Sequence, residues 1–136
     1  MHNGRFSIAT HILTLLARFQ DDWLSSEFIS GSINIHPVVV RKELTHLRKA
    51  GLVISKEGKN GGSRLARPAE QILLSEVYHT IRQTDILGRK QNEPNPKCPV
   101  GSQINQHLDT LYQAAELALV QELERTTLAE FSKKFD

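Results

Sequence analysis

Residues 37–67, PVVVRKELTHLRKAGLVISKEGKNGGSRLAR, divide into a basic helix, a glycine stop and a hairpin with a positively charged tip. Pro37 suits the first turn of a helix, where a missing N–H leaves no bond unmade. Val40, Leu44 and Leu47 recur at i, i+4 and i+7 and form one narrow apolar face. Arg41, Lys42, Thr45 and Lys49 fall on the other side, toward solvent or a partner. Gly51 fits the left-handed position that closes many helices. Leu52 to Lys56 reads as one strand and Arg64 to Arg67 as the next. The segment Gly58-Lys-Asn-Gly-Gly-Ser63 between them carries three glycines that permit a tight reversal. A helix followed by a basic hairpin is the pattern of a winged helix-turn-helix.

Charge supports that division. Between Arg41 and Arg67 the chain places Arg41, Lys42, Arg48, Lys49, Lys56, Lys59, Arg64 and Arg67 against only Glu43 and Glu57, although its net charge is just +2. Residues 69–136 are slightly acidic. A basic patch segregated in this way suits an anionic polymer such as double-stranded DNA, although a solvated basic face would look the same. With 136 residues the chain has room for one domain and an appended element. A single cysteine, Cys98, excludes an intramolecular disulfide and an all-cysteine metal site within one chain. The six histidines show no ligand spacing, so no metal site is expected. No run is long and apolar enough for a membrane span and no secretory signal opens the chain, so a cytoplasmic location is expected. No nucleophile–base constellation or phosphate-cradling motif is present, so the chain is not expected to be an enzyme.

Ahead of the decisive stretch, Phe6 to Phe19 carries Ile8, Ile12, Leu15, Leu16 and Phe19 at helical spacing. Asp21-Asp22 ends that helix. Ser25 or Ser26 can cap a short helix from Ser26 to Ser30 that stops at Gly31. The order is therefore helix, short helix, turn, basic helix and hairpin, with the hairpin as wing. Behind the wing, Leu74, Val77, Tyr78 and Ile81 form the apolar face of a further helix. Thr84 to Gly101, with Pro94, Pro96 and Pro99, reads as a loop. From Ser102, its candidate cap, to Arg125 runs the longest helix. Ile104, Leu108, Leu111, Ala115 and Ala118 form its seam, with Leu119 widening it. So broad an apolar surface either folds back on its own domain or meets the same helix of a second subunit in a homodimer, the preferred reading. A terminal helix, Thr127 to Phe131, adds Leu128 and Phe131 to that surface.

Four stretches together resemble the winged-helix transcription regulators of the IscR/NsrR-like (Rrf-two) family. They are Phe6 to Phe19; Leu44-Thr-His-Leu-Arg-Lys-Ala-Gly-Leu-Val53 leading into Gly58-Lys-Asn-Gly-Gly-Ser-Arg-Leu-Ala-Arg67; Ile72-Leu-Leu-Ser-Glu-Val77; and Leu108 through Leu123, ending in Thr127-Leu-Ala-Glu-Phe131. The resemblance implies a sequence-specific DNA-binding regulator, expected to repress and to act as a homodimer. Cluster-binding members place three cysteines in the loop before the long helix. This chain keeps only Cys98, ahead of Pro99-Val-Gly101, which leaves too few thiolates for an iron–sulfur cluster of that type. Ser63 stands at the wing where many relatives have an aromatic.

These readings give a mainly α fold with a small β hairpin. Residues 1–83 form the winged helix-turn-helix, 84–101 a loop containing Cys98, and 102–136 the long dimerisation helix and terminal helix. Pro37, Val38, Val39 and Arg41 are the expected base-reading end of the helix. Lys42, Thr45 and Lys49 are expected on phosphates, with Lys59, Asn60 and Arg64 on the wing and Ser25 or Ser26 at the short helix. Cys98 is a candidate redox switch, with Lys97 favouring its thiolate. A winged helix that binds protein is the other open reading.

Overall fold

A computed structural model describes residues 4–81 and 92–135. Its elements are α1 (Arg5–Arg18), α2 (Ser26–Ile33), α3 (Pro37–Lys49), β1 (Val53–Lys56), β2 (Gly62–Leu65), a 3-10 turn (Ala69–Gln71), α4 (Leu74–Ile81), α5 (Ile104–Leu123) and α6 (Leu128–Ser132). The fold is mainly α with one antiparallel hairpin, as the sequence pattern implies. The boundary expected at 83–84 lies outside the described residues.

The core gathers one face from each N-terminal element: Ile12, Leu13 and Leu16 of α1, Ile29 of α2, Val40 and Leu47 of α3, and Val77 of α4, all buried. Removing these side chains from water is the main stabilising term, and helix propensity is secondary to it. Helix α1 lies at the centre, packed against α2, α3, α4, α6 and β2.

Several boundaries differ from the sequence expectation. Helix α2 runs through Gly31 and ends at Asn34, which adopts the left-handed conformation (φ 66°, ψ 49°). Asparagine tolerates that region, so a second stop signal lay three residues beyond the glycine. The second strand begins at Gly62 rather than Arg64, with Val53 opposite Leu65 and Lys56 opposite Gly62. Helix α5 is not capped by Ser102, whose hydroxyl donates to the Pro99 carbonyl; the N-cap is Gln103, without a side-chain bond.

The terminal helix is also placed differently. Leu128 is fully buried and Ala129 nearly so, inside the core and not on an exposed apolar surface. A reciprocal capping box starts α6: the Glu130 N–H donates to Thr127 Oγ1 at 3.0 Å, and the Thr127 N–H to Glu130 Oε1 at 2.9 Å. The backbone then pins it, with the Leu128 N–H on the Ile72 carbonyl (2.7 Å) and the Leu74 N–H on the Thr126 carbonyl (3.1 Å).

One buried charge pair crosses the fold. Glu43 on α3 is 4% exposed, and Arg5 holds it in a fork, Nε to Oε2 at 2.7 Å and Nη2 to Oε1 at 3.2 Å. Arg5 Nη1 also donates to the Ile81 carbonyl at the end of α4 (3.2 Å). Taking away one partner strands the other charge in a poorly solvated position. Arg5→Ala is therefore expected to lower stability by about 2–3 kcal/mol. Urea unfolding measures this, and a loss below that of an ordinary surface substitution would contradict it.

Candidate nucleic-acid interface

The start of α3 is exposed and fixed by its neighbours. His36, the N-cap, accepts the Val38 N–H on Nδ1 at 3.1 Å. Pro37 occupies the first turn, and Gly51 takes the left-handed conformation (φ 80°) just past the helix end, both as the sequence implies. Val38 and Val39 are 54% and 40% exposed while Val40, next along, is fully buried. Adjacent residues on a helix point about 100° apart, so burying Val40, Leu44 and Leu47 forces the polar side outward. Arg41, Lys42 and Lys49 are all exposed.

Helix α2 brings its N-terminus to the same region. Ser25, not Ser26, is the cap: its oxygen accepts the Phe28 N–H at 3.0 Å, which leaves its own hydrogen available to donate. Glu27 in the first turn stands 3.6 Å from Arg41 Nη1, with both side chains largely exposed. Such a pair is worth at most about 1 kcal/mol, so a competing anion can draw Arg41 away.

Thr45 is committed within the protein. Its hydroxyl donates to the Arg41 carbonyl and accepts from Arg48 Nη2, each at 3.0 Å. Arg48 reaches on to Ser55 Oγ on β1 (3.1 Å), whose hydroxyl lies 3.2 Å from Ser63 Oγ. This chain of polar contacts links α3 to the wing, a role not evident from the basic count alone.

Lys59 and Asn60 stand exposed at the tip, with Gly58 at φ 86° and Asn60 at φ 66° forming the reversal. Ser63 is not at the tip. It is 3% exposed within β2, and its backbone pairs with Leu24 in both directions, Leu24 N–H to Ser63 carbonyl at 3.1 Å and back at 2.8 Å. The segment before α2 thus acts as a third, single-residue strand. Gly62 makes that approach possible: with φ 150°, a Cβ there would come 2.4 Å from the Leu24 carbonyl oxygen.

Trp23, adjacent to this crossing, was read in sequence only as an apolar residue before a cap. Its ring carries the Arg64 guanidinium 4.5 Å from the centroid and the Lys56 ammonium 5.8 Å away. Arg64 Nη2 also donates to the Asp21 carbonyl. Arg64 is therefore held against the body of the domain, whereas Lys59 and Asn60 extend from it. Period-two alternation puts Lys56 and Arg64 on one face of the hairpin, and that pattern was the available sequence signal. At the base of the wing, Arg67 pairs with Glu76. Partial burial raises the Glu76 pKa, but the Leu73 N–H and the Arg67 guanidinium outweigh it and hold the carboxyl below its usual range.

Cys98 is exposed, in the turn before α5. The N–H groups of Gly101 and Val100 lower its thiol pKa, in place of the Lys97 ammonium expected to do so. Among the described residues no three His, Cys, Asp or Glu side chains gather as a metal site.

Basic side chains spread over a protruding helix start, the adjoining helix N-terminus and a hairpin tip define a winged helix-turn-helix DNA-binding domain. The family model Rrf2, described as "Iron-dependent Transcriptional regulator", matches residues 2–134. This chain belongs to the Rrf2 family and is a DNA-binding transcription regulator. YwnA of Bacillus subtilis (strain 168), provisionally named an HTH-type transcriptional regulator, is 39% identical over 128 residues, 94% of each chain. The HTH-type transcriptional regulator IscR of Cereibacter sphaeroides is 32% identical over 82 residues, 60% of this chain and 53% of IscR. Among solved structures, T. potens IscR superposes with a TM-score of 0.75 at 18% identity, covering 100% of this chain and 88% of that one. CymR, the global cysteine regulator of B. subtilis, has a TM-score of 0.71 at 18% identity, covering 100% and 98%. These last two likenesses support the fold. The family description names iron, yet one thiol and no gathered ligand set do not fit a thiolate-held iron–sulfur cluster.

Gly62→Ala is expected to separate β2 from Leu24 while leaving the helical core folded. Hydrogen exchange should then accelerate at the Leu24 and Ser63 amides and stay slow at Leu13. Unchanged protection at both crossing amides would contradict the close approach.

Proposed function

We propose that this protein binds specific double-stranded DNA as a homodimer, inserting the start of α3 into the major groove and laying the wing along the flanking backbone or minor groove. The observation that carries this reading is the outward turn of Val38, Val39, Arg41 and Lys42 at a helix start that nothing in the described chain covers. The valines offer methyl groups to thymine, and Arg41 offers a bidentate contact to guanine. Pro37 sets the entry angle of that helix. Lys42 and Lys49 neutralise phosphates, as do Lys59 and Asn60 from the wing, and Ser25 donates to a phosphate at the N-terminus of α2. Thr45 and Arg64 act mainly by holding α3 and the wing in place. Ser26 lies inside the first turn of α2 as a secondary phosphate contact.

The homodimer reading rests on α5. None of its 20 residues is buried, and Leu111 is 59% exposed. At 100° per residue, Ile104, Leu108, Leu111, Ala115 and Ala118 fall within about 80° of one another, roughly 120° around the helix from Glu116. Glu116 is the residue that meets Tyr78 of α4, at 3.4 Å. The seam is thus turned away from its own domain, with Leu119 at its margin, and suits a second subunit. Two-fold symmetry would present two α3 helices to two half-sites. Repression, by occupying the operator, is the proposed direction of control. The protein works by binding and not catalysis, without an iron–sulfur cluster, in the cytoplasm; among the described residues no helix is long and apolar enough to cross a membrane.

Operator binding measured against salt tests the DNA reading. Arg41→Ala should cost about 1–3 kcal/mol and relax discrimination at one base pair. Lys59→Ala should weaken all sequences alike and reduce the salt slope by about 1. Both variants matching the parent at every salt concentration would refute the interface.

A thiol-responsive version of the same regulator is favoured by one observation: Cys98 is exposed and its pKa is lowered by two backbone N–H groups. The thiolate is the reactive form, so alkylation at neutral pH should outpace that of an unstructured peptide thiol. Oxidant should weaken operator binding by the parent and not by Cys98→Ser. An equal response from both proteins would remove the sensor.

A further inference from the structure

An apolar groove of about 610 Å³ lies between α1 and α6, on the side of α1 away from the core. Phe6, Leu15, Phe19, Phe131 and Phe135 line it, and Thr10 in its wall buries a hydroxyl with no partner among the described residues. Phe19 and Phe135 are 43% and 52% exposed, although the core beneath is closed. No residue of this chain's own α5 borders the groove.

We propose that the N-terminal half of α5 from a second copy of this chain, Ile104 to Leu111, occupies this groove. The proposal rests on the homodimer reading and adds where the helix goes. The C-terminal half of α5 is tied to its own domain, by Glu116 to Tyr78 and, just beyond the helix, by the Thr126 carbonyl to the Leu74 N–H. The N-terminal half carries Ile104, Leu108 and Leu111 without burying any of them.

Charge matches the two surfaces. From Ile104 to Leu123 the helix has Asp109, Glu116 and Glu122 and neither lysine nor arginine. The groove has Arg18 in its wall, and Lys133 and Lys134 stand exposed between Phe131 and Phe135. Glu130, the carboxylate of α6, is held in its own cap. An apolar helix edged with carboxylates therefore fits an apolar groove edged with cations, and opposite charges fix its direction of docking. The exchange is reciprocal under two-fold symmetry, each chain giving one helix half and receiving the other. It also carries the Cys98 loop, which runs directly into α5, onto the partner's DNA-binding body.

Bifunctional cross-linking tests the arrangement. In a Cys98→Ser background, Ser7→Cys marks the groove and Leu111→Cys marks α5; both positions are exposed, and circular dichroism checks folding. Treated with a short bis-maleimide, the double variant is expected to give covalent dimers several-fold above either single variant. Phe135→Cys paired with Leu111→Cys should do the same. Covalent dimer formed equally by Leu111→Cys alone would place α5 against α5 and overturn the groove assignment. So would a sedimenting dimer in which Ser7→Cys and Phe135→Cys remain freely reactive, the result expected if the groove takes a small apolar ligand instead. A protein that sediments as a monomer at micromolar concentration would overturn the homodimer reading itself.

Discussion

The orientation of α3 depends on a carboxylate in its interior face. Glu43 lies between Arg41 and Thr45 in a helix otherwise read as basic, and it points into the domain because Arg5 meets it with two hydrogen bonds. A helix turned by the wrong angle would carry Glu43 toward solvent and one of the cations inward, and neither burial would be compensated. Hydrophobic contacts at Val40, Leu44 and Leu47 favour the same rotation, but they are non-directional and tolerate small slips. The fork between Arg5 and Glu43 is directional, and it fastens α3 to the start of α1 and, through the Ile81 carbonyl, to the end of α4. Outward placement of Val38, Val39, Arg41 and Lys42 follows from that inward bond.

The wing is positioned by a separate set of constraints. A two-stranded hairpin is marginal by itself. Here it gains a third strand residue at Leu24, made possible by the bare Cα of Gly62, and a lateral brace from Trp23 under Arg64 and Lys56. The polar chain from Thr45 through Arg48 and Ser55 to Ser63 couples it to α3. A displacement of the wing therefore also disturbs the helix proposed to read the bases. The tip residues, Lys59 and Asn60, remain outside this bracing and keep the freedom that contact with DNA of variable shape requires.

Much of this was legible in the sequence, and the exceptions share a cause. Helical spacing located α1, α3 and α4, and Pro37 and Gly51 marked both ends of α3, because these are local rules. The errors arose where distant chain segments decide the outcome. Gly62 was taken for part of a mobile tip, since nothing local indicates that Leu24 crosses it. Arg64 was grouped with the tip cations, yet Trp23, some forty residues earlier, holds it. Leu128 looked like surface because its partner at Ile72 is remote in sequence. Glu43 was counted merely as a charge opposing the basic patch, and Thr45 as a free hydroxyl on its exposed side.

The same distinction bears on α5. A helix that buries nothing in its own domain while carrying leucines and an isoleucine along one seam has no local reason for that composition. Propensity would be served as well by glutamine, glutamate or lysine at those positions. The C-terminal half is explained by its attachments to Tyr78 and Leu74, and the N-terminal half is not. An apolar groove in the same molecule is similarly unexplained by its own chain, being ringed with phenylalanines that the core does not need. Two unexplained apolar surfaces of opposite charge character in one chain satisfy each other only between copies, since no residue of the chain's own α5 borders that groove.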